Sequence, residues 1–124
     1  MIVLDTNCLI FYLVQPGTPQ AKKVTELLKQ PVKLTIPDVV FPELEYVLRH
    51  KYQHSRKKIA QAFEFLTHLK QIQVNTYVPR AVDLFRSNTF DMADCLIAAQ
   101  AEGYLLASFD KKLLKVTKVK PYWK

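Results

Sequence analysis

Short apolar runs alternate with amphipathic segments along this chain, a pattern that predicts strands separated by helices. Residues 1–4 form an apolar run rich in β-branched side chains, which predicts a buried strand at the centre of a sheet. Comparable runs at 32–36, 72–77, 104–107 and 116–123 predict further strands. The last of these is expected at a sheet edge, where Lys118, Lys120 and Pro121 discourage unwanted pairing.

Apolar residues at helical spacing fill the segments between these strands and predict helices there. Signals typical of helix ends lie at Thr18-Pro19, Pro37-Asp38, Ser55, Asn88 and Gly103. Pro42 leaves two alternatives for the helix that runs to about residue 50, a start at this proline or a kink there. A short helix over 79–86 and a helical turn over 111–115 are also predicted.

Alternating strands and helices favour parallel pairing with right-handed crossovers. The sequence therefore predicts an α/β protein, a three-layer α/β/α sandwich around a central parallel sheet of four to five strands. A length of 124 residues fits a single domain over 1–124, large enough to bury a core without disulfides.

The charge balance narrows the classes of partner. Eighteen Lys and Arg against eleven Asp and Glu give a net charge of +7, which favours nucleic acid or an acidic protein. Cys8 and Cys95 lie in apolar stretches, as reduced core cysteines do, so no disulfide framework is expected. The apolar run at 8–14 is too short to cross a membrane. We expect a cytoplasmic protein that does not associate with membranes.

Several of the few acids fall at predicted element ends. Asp5 follows the first strand, Asp110 follows the fourth, and Asp91 and Asp94 begin the helix that leads into the fourth. The carboxyl ends of parallel strands meet at one edge of a sheet, where helices that follow strands also begin. We expect these acids at that edge. Asp94 shares a helical face with apolar residues, where an ionised carboxylate is costly unless paired or bound to metal.

These acids also have purely structural interpretations. Asp is a good helix cap, so Asp5 can simply begin the helix that follows it. Asp91 can cap its own helix while Asp94 reaches back to it in a capping box.

Two glutamates compete for an inward-facing position on the helix that ends near residue 50. Glu45 lies four residues before Arg49, the favoured orientation for a surface ion pair. Glu43 has no cation within one turn, so it is the better candidate for an acid that faces the site.

Converging carboxylates repel one another unless a cation neutralises them, and ligation by oxygen alone suits Mg²⁺ or Mn²⁺. On a basic protein this combination indicates a metal-dependent phosphodiesterase, in which metal activates a water and basic residues hold the phosphate backbone. His50, His54 and His68 show no ligand spacing and are expected at the surface.

Four segments in order resemble the PIN domain: Asp5-Thr6-Asn7, Pro42-Glu43-Leu44, Asp91 to Ala99 and Leu106 to Asp110. The size resembles the VapC-type toxin ribonucleases of toxin-antitoxin pairs. The resemblance implies a Mg²⁺- or Mn²⁺-dependent ribonuclease with a catalytic and metal-binding quartet of Asp5, Glu43, Asp94 and Asp110. It also implies Asp91 as an additional metal ligand, with Thr6, Asn7 and Ser108 as supporting polar residues. Phe109 departs from the polar residue often found at its position in the family.

The basic residues are grouped near aromatic ones. We expect Arg56, Lys57, Lys111 and Lys112 to bind RNA phosphates, and Tyr122 and Trp123 lie in a stretch rich in lysine that ends at Lys124. Such groups bind single-stranded RNA, although a solvated charged face beside packed aromatics is the alternative. The first helix is apolar on more than one side, which predicts a homodimer face or a partner groove. Resemblance to the toxins likewise implies a homodimer that binds an antitoxin.

The predicted function is cleavage of single-stranded RNA by a metal-activated water, as the toxin of a toxin-antitoxin pair. The alternatives are a PIN nuclease that acts in RNA maturation or on DNA, and a PIN-like binding module without catalysis. A receiver-like phosphoacceptor expects paired acids near the first strand, whereas this strand offers Asp5 alone.

Overall fold

The structure is a computed structural model that describes residues 1–123, so Lys124 lies outside the described residues. The chain divides into two units, Met1–Asn75 and the segment from Thr76 onward, and each is described by itself. The single domain over 1–124 stays a prediction. Within residues 1–123, no helix combines the length and the apolar character needed to cross a membrane.

The first unit is built on a parallel sheet covered by helices. Its strands are β1 (Ile2–Val3), β2 (Leu34–Thr35) and β3 (Ile72–Gln73), and its helices are α1 (Thr6–Val14), α2 (Pro19–Lys29), α3 (Val40–His50) and α4 (Arg56–Thr67). The sheet order is β1-β2-β3, with Ile2 opposite Leu34 and Leu34 opposite Ile72. All of these elements lie close to the predicted positions.

Local capping explains where these helices begin. The Thr18 hydroxyl accepts a hydrogen bond from the Ala21 N–H at 3.1 Å, and the Ser55 hydroxyl accepts one from the Lys58 N–H at 3.1 Å. Helix α3 begins two residues before Pro42. The proline therefore lies in the first turn, where a missing N–H removes no bond within the helix, and neither of the predicted alternatives describes it.

The core of the first unit joins α3 and α4 to the sheet. Phe41 and Phe63 are fully buried, and their rings meet edge to face with centroids 5.5 Å apart. Buried aliphatic side chains surround them, among them Leu4, Leu9, Leu34, Ile36, Leu44, Leu48, Ile59 and Leu66. Burial of each large apolar side chain stabilises the fold by about 1.5–3 kcal/mol, so this core holds the ends of β1 and α3 in fixed positions.

The second unit contains α5 (Val78–Ser87), α6 (Met92–Gln100), β4 (Leu105–Leu106), the 3₁₀ turn Leu113–Lys115 and β5 (Lys120–Pro121). Strands β4 and β5 pair in parallel. Buried side chains of both helices form its core, including Val78, Ala81, Phe85, Met92, Cys95 and Ala98. Gly103 has φ +85°, a left-handed conformation that suits glycine and ends the segment after α6 as predicted.

The prediction of one sheet with four to five strands is wrong, although the α/β class is confirmed. Within residues 1–123, the strands form one three-stranded and one two-stranded sheet, with all pairs parallel. Strand β1 lies at an edge of its sheet, not at the centre, and its Ile2 and Val3 are 40% and 63% exposed. An apolar run identifies a strand but does not specify its neighbours, because pairing depends on distant parts of the chain. The three-layer arrangement stays a prediction.

Candidate acidic site

Asp5 lies directly after β1 and begins α1. Its backbone is extended, and its Oδ1 accepts a hydrogen bond from the Thr6 N–H at 2.8 Å. The capping interpretation of Asp5 is therefore confirmed. The carboxylate is nevertheless exposed at the carboxyl end of a parallel strand, the usual position for ligand contacts in α/β proteins.

Thr6 connects the starts of two helices. It is buried, at 8% exposure, and its hydroxyl donates a hydrogen bond to Glu43 Oε1 at 2.8 Å. Glu43 is exposed and lies in the first turn of α3. In the first unit, Glu43 is thus hydrogen-bonded to Thr6, the residue that directly follows Asp5. Asn7 is exposed in α1, and its supporting role stays a prediction.

The two glutamates of α3 differ from expectation in their burial. The predicted pair is confirmed, with Arg49 Nη2 2.7 Å from Glu45 Oε2, but Glu45 is buried at 7% exposure and not on the surface. Glu43 is the exposed member and is directed to the Thr6 hydroxyl. Both glutamates border the same apolar stripe, so helical angle alone does not decide which one the core covers.

The second unit gathers three more acids. Asp91 caps α6, and its Oδ1 accepts a hydrogen bond from the Asp94 N–H at 2.9 Å. In the described residues, the reciprocal bond of a capping box from the Asp94 carboxylate is not formed. Burial raises the pKa of the Asp94 carboxyl, and the negative charges of Asp91 and Asp110 raise that pKa further. Asp94 therefore lies among like charges that favour a compensating cation.

Asp110 lies after β4 and three residues before the start of the 3₁₀ turn. Its Oδ1 accepts hydrogen bonds from the N–H groups of Lys112 at 3.0 Å and Leu113 at 3.1 Å. The Ser108 hydroxyl accepts a bond from the Asp110 N–H at 3.0 Å. Ser108 thus restricts the backbone that carries this acid, and its supporting role at a site stays a prediction.

The predicted nucleic-acid-binding residues lie at the surface of both units. In the first unit, Lys57 is exposed and Arg56 is half-buried at the start of α4. In the second unit, Lys111 and Lys112 are exposed and directly follow Asp110. The predicted surface histidines include two exposed residues, His50 and His68, and one half-buried residue, His54.

Phe109 and Trp123 form a contact that was not predicted from the sequence. Their rings are stacked, with centroids 4.9 Å apart and planes 7° apart. A signal was present in the sequence, since Phe109 follows the fourth predicted strand and Trp123 ends the fifth, and parallel strands end at the same edge.

A cavity of about 850 Å³ lies within the second unit but contains none of the predicted acids. Its lining includes Arg80, Glu102, Tyr104 and Leu105. Asp91 and Asp110 are exposed instead. An open acidic surface is accessible to a polymer chain.

The donor atoms of the predicted acids are all oxygen, which suits Mg²⁺ or Mn²⁺. Within residues 1–123, no group of three or more His, Cys, Asp or Glu side chains is arranged to hold a metal ion. The donor chemistry fits such an ion, and the metal site stays a prediction.

Comparison with known proteins agrees with the resemblance found in the sequence. The family model of the PIN domain matches residues 2–119. The chain is similar to the VapC ribonuclease of Aquifex aeolicus (strain VF5), with 27% identity over 111 residues, covering 82% of this chain and 79% of that protein. A search of solved structures gives no match.

Proposed function

This chain belongs to the PIN domain family, and on that basis we propose that it is a divalent-metal-dependent endoribonuclease that cleaves single-stranded RNA. The observation that carries the proposal is the placement of acids at element starts in both units. Asp5 and Glu43 flank Thr6 in the first unit, and Asp94 lies among the charges of Asp91 and Asp110 in the second.

We propose that four carboxylates are required together for cleavage and metal binding, with Asp91 as an additional metal ligand: Asp5, Glu43, Asp94 and Asp110. A bound Mg²⁺ or Mn²⁺ supplies charge neutralisation at the phosphate and lowers the pKa of an attacking water. The protein's part is orientation. The Thr6 hydroxyl holds Glu43, and Ser108 holds the backbone of Asp110.

The basic residues complete this proposal. Lys111 and Lys112 directly follow an acid of the site, and Arg56 and Lys57 begin α4. We propose that these four side chains hold phosphates of the RNA, as cations at a nucleic-acid surface do.

Neutral variants that keep side-chain shape test the site. Asn caps helices as well as Asp does, so Asp5→Asn should keep the fold while it removes a charged ligand. We expect Asp5→Asn and Asp94→Asn each to reduce Mn²⁺-dependent cleavage of a fluorogenic RNA at least about 100-fold, because charge neutralisation by metal contributes several kcal/mol. Chelation by EDTA should abolish wild-type cleavage.

Two acids that are not part of the proposed site serve as matched controls. Glu26 is exposed on α2, and Asp83 is exposed on α5, where it pairs with Arg86 at 2.7 Å. Glu26→Gln and Asp83→Asn should retain cleavage within about threefold, the scale expected of surface changes below ~0.5 kcal/mol. Undiminished cleavage by Asp94→Asn, or full activity in EDTA, would contradict the proposal.

The similarity to a VapC ribonuclease leads us to propose further that this chain is the toxin of a toxin-antitoxin pair and acts in the cytoplasm. We also propose that it forms a homodimer and binds an antitoxin. Helix α1 supports this, since Ile10 to Val14 are only half-buried and Tyr12 stacks on the exposed Phe65. Induced expression of the wild-type chain should arrest cell growth, and Asp94→Asn should relieve this arrest. Light scattering should give the mass of a dimer.

The other functions are outcomes of the same assays. Cleavage of single-stranded DNA at an equal rate would indicate a nuclease without sugar selectivity, and viable cells that accumulate RNA precursors on deletion of the gene would indicate RNA maturation. Mn²⁺ binding without turnover would indicate a binding module. Labelling of Asp5 by a small phosphodonor would indicate a phosphoacceptor.

A further inference from the structure

The carboxyl edge of the two-stranded sheet carries a cluster of three aromatic rings. Phe109 and Trp123 are stacked with centroids 4.9 Å apart and planes 7° apart. Tyr122 packs against Trp123 at 81°, with centroids 5.3 Å apart. These are the offset and edge-to-face arrangements that aromatic pairs prefer, so each ring restricts the rotation of the next.

The backbone attaches these rings to the short segment that carries Asp110, just before the 3₁₀ turn. The Tyr122 N–H donates a hydrogen bond to the Leu106 carbonyl at 2.9 Å, which continues the β4–β5 pairing toward the aromatic residues. Ser108 fixes the Asp110 N–H on the other side of Phe109. The stacked pair is thus attached to the same short segment as an acid of the proposed site.

The rings remain accessible despite their mutual contacts. Phe109 is 86% exposed, Tyr122 58% and Trp123 51%. Phe109 is the most accessible member, so its ring presents a face to solvent. A contiguous apolar surface of this kind, beside charged residues, marks an interaction site more often than isolated exposed residues do.

The charges beside the rings decide which partner fits. Lys111 and Lys112 are exposed and follow Phe109 at two and three residues, and Lys120 is exposed in β5. Aromatic rings beside cations are the combination that binds single-stranded nucleic acid, with bases stacked on the rings and phosphates at the cations. A purely apolar protein partner gains little from three lysines.

We propose that Phe109, stacked on Trp123, is a platform on which an unpaired base of the RNA stacks next to Asp110. This inference rests on the proposed ribonuclease function and adds to it a stacking contact with the base. Stacking accepts any base, so the platform positions the strand without selecting a sequence.

The chain contains one tryptophan, so the fluorescence of Trp123 reports on this cluster alone. Asp94→Asn protein is titrated with an unstructured RNA of about eight nucleotides, within the site sizes of single-strand binders. The matched probe is an abasic ribose-phosphate oligomer of the same length. We expect the RNA to quench Trp123 and the abasic oligomer to bind more weakly without quenching.

Substitutions then separate stacking from apolar packing. In the Asp94→Asn background, Phe109→Ala and Phe109→Leu should weaken RNA binding about 5- to 150-fold, the range measured for loss of one base–aromatic stack. Phe109→Tyr should keep the RNA affinity of the parent Asp94→Asn protein. Tyr104→Ala, which removes a 72% exposed aromatic side chain outside the cluster, is the control and should leave the RNA affinity unchanged. None of these variants should alter binding of the abasic oligomer.

The outcomes distinguish this inference from the function on which it rests. In protein with Asp94 intact, Phe109→Leu should raise KM and leave kcat nearly unchanged, since the platform binds substrate and transition state alike. If wild type cleaves RNA but Phe109→Leu binds it normally, the platform is wrong and the nuclease stands. If base-dependent quenching occurs but the wild-type protein cleaves no RNA, the nuclease is wrong and the platform stands. A change in dimer mass or antitoxin binding, with unchanged RNA affinity, would reassign the rings to a protein interface.

Discussion

Replacement of Thr6 by valine removes the hydroxyl that links the starts of α1 and α3. Valine keeps the branched shape, so the loss is confined to the 2.8 Å hydrogen bond to Glu43 Oε1. A hydrogen bond to a charged group contributes about 1.5–3 kcal/mol. Glu43 is exposed and can be rehydrated, so we expect the lower end, about 1.5 kcal/mol of lost stability.

A double-mutant cycle isolates the contribution of the Thr6–Glu43 hydrogen bond to stability. Glu43→Ala should cost a similar amount, because it leaves the buried Thr6 hydroxyl without its acceptor. The double variant should cost about as much as either single change, which gives a coupling energy of about 1.5 kcal/mol. In urea denaturation followed by circular dichroism, each single variant should lower the midpoint by about 1 M.

Activity provides the second measurement. Thr6→Val leaves the Glu43 carboxylate present but free to rotate, and loss of a residue that orients a metal ligand typically costs about 10- to 100-fold in activity. Thr25→Val is the matched control, since its hydroxyl donates a hydrogen bond to the Ala21 carbonyl of its own helix at 2.9 Å and so links no two elements. Additive stability effects at Thr6 and Glu43, or full activity of Thr6→Val, would refute the reasoning.

Three further predictions concern charge. The pKa of Asp94 is raised in the fold, so its ionised form destabilises the metal-free protein. Asp94→Asn should therefore be more stable than wild type at pH 7. This difference in the free energy of unfolding should vanish as the pH falls below about 4, the ordinary Asp pKa. Equal stability at pH 7 by thermal denaturation would contradict this. Asp5→Ala should lower the free energy of unfolding by about 1 kcal/mol through loss of the helix cap, whereas Asp5→Asn should lower it by a few tenths of a kcal/mol. Equal losses of stability in urea denaturation would argue against the cap. Arg49→Met should lower the free energy of unfolding by about 0.5–1 kcal/mol, because it removes the 2.7 Å ion pair with Glu45 at a position where Arg49 is partly exposed. An unchanged urea midpoint would contradict this prediction.

The sequence by itself determined the positions of the elements and the local roles of several acids. Caps at Thr18, Ser55 and Asp91 were predictable because each bond joins residues three apart. The left-handed turn at Gly103 follows from the absence of a side chain. Such interactions are complete within one turn of chain, so the residues that form them are visible as a motif.

Tertiary structure decided which distant residues meet. The contact of Thr6 with Glu43 spans 37 residues, and no local pattern links the two. Helical angle placed Glu43 and Glu45 at opposite borders of one apolar stripe, and only packing of the core covered Glu45. The pairing of β4 with β5, which sets Phe109 on Trp123, is likewise a choice among strand partners that each apolar run leaves open. Pairing and burial depend on the whole packed unit, because each strand or helix face is satisfied only by surfaces that distant segments supply.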